Sequence, residues 1–363
     1  MLGTLKKLVE RLAQVRTLRL AHYICTRVIL EIFAFNRAAA IIYSIFTFPT
    51  FNREQFSVLR GRRDYYRELS SKSIRSPELR RSIHRIEKGL SMRPMRKRFA
   101  ESYIIETVSQ YRRISQNIES NKKADMEEIR WVHDVLQRYF SLAERTQITK
   151  NAFDTFSGVT YNQPGEKDHA PYPAGNRTQC RISFEEFQQL TQRRRSVRWF
   201  LDKPIPRDLI DKALSCARMS PTACNRQPYE FLIYDDSNMV KKVASVPFGT
   251  QGYSEQIPTI AVVVGNLNNY ASPRDRHAIY IDSSLAVMSF LFALETLGLS
   301  STIINWPDFE PLELQMQRLL GLKTSQRITM LVAVGYADPK GMVPYSGKKG
   351  LDHFRSYNRL RGS

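Results

Sequence analysis

Two stretches decide the fold when read together: Arg193-Arg-Arg-Ser-Val-Arg-Trp-Phe200 and, about 25 residues on, Met219-Ser-Pro-Thr-Ala-Cys-Asn-Arg-Gln-Pro-Tyr229. The first sets guanidiniums around a serine at the end of a helical pattern. Arginine presents a fork of donors matched to phosphate oxygens, and serine adds a hydroxyl. Alone, it better suits a basic helix end placed at the negative pole of the helix dipole. The second closes a helix with small polar residues and an amide pair, then meets a proline before a strand. Such a loop brings backbone and amide groups close to a planar, hydrogen-bonding ligand. Alone, it equally suits an ordinary helix-to-strand connection.

Working outward, Ser183 stands three residues before Glu186, a capping box that opens a helix through Arg194. Pro206 precedes a second helix, Asp208–Met219. Tyr229–Tyr234, Thr259–Gly265, Ser300–Ile304 and Arg327–Tyr336 read as strands. His277–Leu297 is apolar almost all round and ends at Gly298, which marks a helix buried in a core or at a subunit interface.

In this order, R-R-S-x-R-x-F followed by S-P-x-x-x-N-x-Q-P-aromatic resembles the opening of the FMN-dependent nitroreductase family. Asp282 in the apolar helix and Val332-Ala-Val-Gly-Tyr336 fit the family's core helix and final strand. The resemblance spans residues 182–357 and implies an α+β fold, an antiparallel sheet flanked by helices, built as a homodimer with its sites at the subunit interface. It implies that Arg194, Ser196 and Arg198 hold the FMN phosphate and part of the ring edge. It also implies that Thr222, Ala223 and Asn225 line the flavin pocket, and that Asn305 and Trp306 lie near the reactive ring nitrogen. Lys348 or Lys349 would complete the phosphate site. Thr222 replaces the common serine, Tyr229 the usual tryptophan, and Asn305-Trp306-Pro307 is not the commonest flavin-facing turn. No catalytic acid, base or nucleophile is implied, because the flavin carries the chemistry and the protein supplies orientation and electrostatics. NADH or NADPH would be the electron donor and a small organic molecule the acceptor.

The first 150 residues read as an all-α region. Apolar residues recur at three- and four-residue steps, as in Ile129, Val132, Val135 and Leu136. The turn-rich stretch 154–181 reads as a linker, dividing a helical region (1–153) from the reductase-like domain (182–363). Within the helical region, His84-Arg-Ile-Glu-Lys-Gly-Leu-Ser-Met-Arg-Pro-Met-Arg-Lys-Arg-Phe99 resembles a segment that precedes the reductase domain in nitroreductase-like proteins of bacterial polysaccharide synthesis. Its Arg93, Arg96, Lys97 and Arg98 suit a phosphorylated substrate and suit a solvated turn equally well.

The formal net charge is +20, and residues 1–100 hold 22 basic and 7 acidic side chains. That excess attracts anions but carries no specificity, and no nucleic-acid module accompanies it. The apolar stretch Leu20–Phe51 is interrupted by Arg27, Glu31 and Arg37, so it is too broken for a spanning helix of roughly 20 apolar residues. It reads either as a helix packed on the protein or, behind Lys6, Lys7, Arg11, Arg16 and Arg19, as a peripheral contact with an anionic membrane. The four cysteines form no C-x-x-C pair. This disfavours a metal site and fits a reducing cytoplasm. A reductase-like fold that has lost turnover and serves as an accessory binding module stands as the alternative to an enzyme.

Overall fold

The strands lie where buried apolar runs are bounded by turn residues. β1 (Tyr229–Tyr234), β2 (Thr259–Asn266), β3 (Ser300–Asn305) and β4 (Gln326–Gly335) form one antiparallel sheet of order β1-β2-β4-β3. They are seen in a computed structural model that describes residues 16–46, 49–70, 77–116, 125–161 and 168–358. β2 is central, and seven of its eight residues are buried, as a strand covered on both faces requires.

The described helices are α1 (Arg16–Phe33), α2 (Arg37–Phe46), α3 (Pro49–Ser70), α4 (Pro77–Leu90), α5 (Ile104–Gln116), α6 (Met126–Leu142), α7 (Gln147–Ser157), α8 (Phe184–Arg193), α9 (Arg207–Ala217), α10 (Ser237–Ala244), α11 (Ala278–Thr296), α12 (Glu310–Leu320) and α13 (Leu351–Phe354). The caps fall where the sequence puts them. Ser183 and Glu186 form the reciprocal capping box of α8. Pro206 stands at the N-cap of α9. Gly298 follows α11 at φ +75°, a left-handed residue that stops the helix.

Both faces of the sheet are covered. On one, α9 and α11 bury Ile210, Ala213, Phe290 and Leu294 against Ala261 and Val263. On the other, α10 and α12 bury Val240, Val243 and Met316 against Ile260, Val262 and Leu331. Helices α4 to α7 make a separate core of Ile83, Ile86, Val108, Tyr111, Val135, Leu136 and Tyr139. Each fully buried aliphatic side chain there contributes roughly 1.5–3 kcal/mol.

The chain divides into two compact units, Met1–Phe56 with Asp308–Glu310, and Ser57–Pro307 with Pro311–Ser363. In the second, α3 lies directly on the loop after β2. A Cβ on Gly61 would fall 2.7–2.9 Å from the Cβ, carbonyl carbon and oxygen of Leu267, so only glycine permits this approach. Hydrogen bonds flank the contact: Arg62 Nε to the Ala271 carbonyl at 2.8 Å, and Ser325 Oγ to Asp64 Oδ2 at 3.0 Å. In the first unit, α1 and α2 leave Ile24, Val28, Ile29, Ile32, Ile41 and Ile45 between 44% and 63% exposed, and Phe35 between them is 84% exposed. Lys6, Lys7 and Arg11 lie outside the described residues. Arg93, Arg96, Lys97 and Arg98 sit on an exposed turn, where Arg98 pairs with Glu144.

Candidate functional site

Helix α11 organises the candidate site. Only two of its 19 residues are charged, Asp282 near its start and Glu295 near its end. Both are buried, at 4% and 6% exposure. Burial pushes both carboxyls above their ordinary values, and each is partly brought back by specific partners. Apart from Tyr270, those partners belong to the two stretches from which the sequence was read.

Glu295 Oε2 meets Arg193 Nε at 3.3 Å, and Arg194 stands near enough to favour its charged form as well. Beyond α8 the chain runs alongside β3. Ser196 bridges Ser301, and the Val197 N–H donates to the Ser301 carbonyl at 3.0 Å. Phe200 then bridges Ala337 and backs onto Gly335, where a Cβ would fall 2.5 Å from its ring. Arg194, Ser196 and Arg198 are thereby held on half-buried backbone. Arg198 lies over the Tyr253 ring at 5.9 Å. Among the described residues, neither Arg194 nor Arg198 is ion-paired to a carboxylate. A phosphate group would supply the missing charge, so the donor set fits one.

Asp282 holds the other stretch. Its Oδ2 accepts the Ala223 N–H at 2.9 Å and the Tyr270 hydroxyl at 3.2 Å. The loop is closed on itself by Asn225 N–H to the Thr222 carbonyl, 3.0 Å, and Gln227 N–H to Thr222 Oγ1, 3.1 Å. Its Arg226 turns inward, 6% exposed, with the guanidinium 4.9 Å from the Tyr270 ring centre. Thr222, Ala223, Cys224 and Asn225 remain partly accessible on the outside.

Asn305 is exposed at the end of β3, opposite Met330. Trp306 is different. Its indole is buried, and Nε1 donates to Glu313 Oε2 at 2.7 Å. The side chain is committed to the core, so Trp306 can serve a ligand only through its main chain. Lys348 and Lys349 lie exposed in the irregular segment before α13.

The nitroreductase family description matches residues 191–251 and 245–336. A protein of Archaeoglobus fulgidus named as an NADH dehydrogenase/NAD(P)H nitroreductase is 30% identical over 157 residues, 42% of this chain and 86% of the relative. The chain belongs to the nitroreductase family. Membership implies flavin-dependent oxidoreduction. Rat iodotyrosine deiodinase 1 is a further relative, 20% identical over 273 residues, 66% of this chain and 92% of its own length. Among solved structures, an NADH dehydrogenase/NAD(P)H nitroreductase of Parabacteroides distasonis is 21% identical with a TM-score of 0.42, covering 48% of this chain and 98% of its own. An FMN-dependent nitroreductase of Clostridium difficile is 17% identical with a TM-score of 0.40, covering 47% and 98%.

The sequence places Asp282 in the apolar core helix but does not announce its role as the loop's anchor, and Glu295 was missed altogether. The available signal was compositional, since a lone carboxylate in an apolar helix must find buried donors. Asp282→Ala should destabilise the protein by roughly 2–4 kcal/mol in thermal or denaturant unfolding, because it strands the Ala223 N–H and the Tyr270 hydroxyl. The pH dependence has a definite sign. A carboxyl whose folded pKa lies above its ordinary 3.8 contributes stability below that value and loses it as pH rises through the raised pKa. Relative to Asp282→Asn, the wild type should therefore lose stability as pH climbs from about 4.

Proposed function

We propose that the protein is an FMN-dependent oxidoreductase whose active site is built from two copies of the chain. One observation carries this reading. The Arg194–Arg198 stretch is held at one end of α11 and the Thr222–Asn225 loop at the other. Asp282 and Glu295 are 13 positions apart, which at 1.5 Å per residue is about 20 Å along the helix. Between these ends α11 presents Ile281, Leu285, Met288 and Phe292 at helical spacing, with Ile281 and Leu285 exposed at 60% and 44%. A two-fold axis across this apolar stripe would set one protomer's arginine stretch beside its partner's loop, because an isologous interface exchanges ends. Exposed Phe184 and Phe187 on α8 extend the same apolar surface.

FMN, when bound, would supply the hydride chemistry, with NADH or NADPH as donor and a small organic molecule as acceptor. The chain's own residues would hold and orient it. Arg194, Ser196 and Arg198 would take the phosphate, with Lys348 or Lys349 adding charge. The loop Thr222–Asn225 and the main chain at Asn305 and Trp306 would face the ring.

The decisive experiment is the visible spectrum of the purified protein before and after anaerobic NADH or NADPH. Flavin bands that bleach are expected, whereas a protein that cannot take up FMN would overturn the reading. Bound flavin that neither nicotinamide reduces would point to an accessory binding module instead. Arg198→Ala should weaken FMN retention about tenfold or more while leaving the melting temperature nearly unchanged, as loss of a charge-assisted phosphate contact predicts.

Leu285→Asp tests the shared site separately. Sedimentation should show a monomer, and flavin should be lost with the dimer. A monomer that keeps its flavin would contradict a composite site.

We also propose that α1 and α2 rest on an anionic membrane surface. The support is their exposed isoleucines together with the basic excess of residues 1–100. The protein should pellet with vesicles of phosphatidylglycerol and not with phosphatidylcholine. Ile41→Glu with Ile45→Glu should abolish pelleting, and equal recovery with both lipids would refute the idea.

A further inference from the structure

The loop that carries Thr222, Ala223 and Asn225 has an unusual backbone. Cys224, Asn225 and Gln227 all have positive φ, at 55°, 51° and 47°, and none is glycine. Side chains with a Cβ rarely enter this region, and each such residue needs a surrounding structure that over-determines it. Part of that structure comes from the reductase fold, through Asp282 at the Ala223 N–H and Asn269 Nδ2 at the Arg226 carbonyl, 3.3 Å. Neither reaches the peptide between the two left-handed residues and Arg226.

That peptide is held from the N-terminal helical region. Arg80, on α4, donates from Nε to the Asn225 carbonyl at 2.8 Å. The guanidinium is itself fixed on α6. Its Nη1 meets Glu128 Oε1 at 3.0 Å, and its centre lies 5.1 Å from the Trp131 ring. Trp131 in turn donates Nε1 to Glu87 Oε1, back on α4, at 2.9 Å. The Arg80 side chain is 14% exposed, so this is a largely dry, charge-assisted contact rather than a surface pair. Arg80 therefore ties two helices of the N-terminal region to one backbone oxygen of the loop.

We infer that Arg80 is a positioning residue for the cofactor site: through the Asn225 carbonyl, the N-terminal helical region sets the conformation of the loop that faces the flavin. The inference rests on the reading of Thr222–Asn225 as a flavin-facing loop. It assigns the helical region a part in the reductase's own site. Its physical content is that an arginine fork can serve the carbonyl and the Glu128 carboxylate at once, whereas a lysine ammonium lacks that fixed geometry.

The test compares Arg80→Ala, Arg80→Lys and wild type by hydrogen exchange of the 223–227 amides without flavin, and by FMN affinity and the circular dichroism of bound flavin. In Arg80→Ala the loop amides should exchange about tenfold faster while the β2 and β4 amides keep their protection, and FMN should bind about tenfold more weakly. The bound-flavin dichroism should change, and Arg80→Lys should fall between. Unchanged loop exchange in Arg80→Ala would overturn the inference. So would faster exchange with unaltered FMN affinity and dichroism, because the loop would then be loosened without consequence for the cofactor. If the wild type takes up no FMN, the proposed function fails, and hydrogen exchange alone decides whether Arg80 holds the loop.

Discussion

The structure turns on two carboxylates buried in an apolar helix. An ionised or even neutral carboxyl cannot be left without partners in a core, so its position dictates what must come to it. Asp282 draws in the Ala223 N–H, the Tyr270 hydroxyl and the Arg226 charge. Glu295 draws in Arg193 and Arg194. A helix of uniform apolarity would pack as well against the sheet but would specify neither connection. The outward side of α11 is apolar too: Phe292 packs on Phe187 of α8 and Met288 on the core, while Ile281 and Leu285 are left exposed. One face of α11 thus anchors both stretches, while Ile281 and Leu285 on another stay exposed.

Much of the reductase core is legible in the sequence because its signals are local. A capping box, a proline at a helix start and a glycine at a helix end each act within a few residues. The four strand ranges agree with expectation to within about a residue at each end, since buried β-runs are bounded by turn chemistry. The helical N-terminal region is legible for the same reason, through its three- and four-residue periodicity.

The rest depends on how whole elements pack on one another. That the Trp306 indole points at Glu313 follows from where α12 packs, and no spacing announces it. That Arg80 meets Asn225 follows from how α4 lies beside the loop, across 145 positions. Among the many arginines of the first hundred residues, nothing local marks this one. The basic run Arg93–Arg98 is conspicuous in sequence yet solvated in structure, while Arg80, one of a plain Arg80-Arg81 pair, is largely buried and bridging. Density of charge is a poor guide to which charge matters. Burial decides it, because a desolvated ion pair is worth far more than an exposed one to the geometry around it.

Flavin chemistry gives this argument its functional weight. Where a flavin carries the chemistry, the protein acts by orientation and by the dipoles it presents. Backbone conformation is then the working part, and the Thr222–Gln227 loop is where it departs from the ordinary. Glycines at 224, 225 and 227 would adopt positive φ with little strain. They would also leave the loop free to relax into other conformations, at a larger entropy loss on ordering. Residues with side chains have fewer states to lose but must be forced into this one, at a cost of order 1–3 kcal/mol for each strained residue. The force comes from Asp282 on one side and Arg80 on another, each a charged group bonded to a backbone atom of the loop. The core and the N-terminal helices each contribute one such bond, and if Arg80 positions the loop as inferred, the helical region takes part in the reductase-like site rather than standing as an appendage to it.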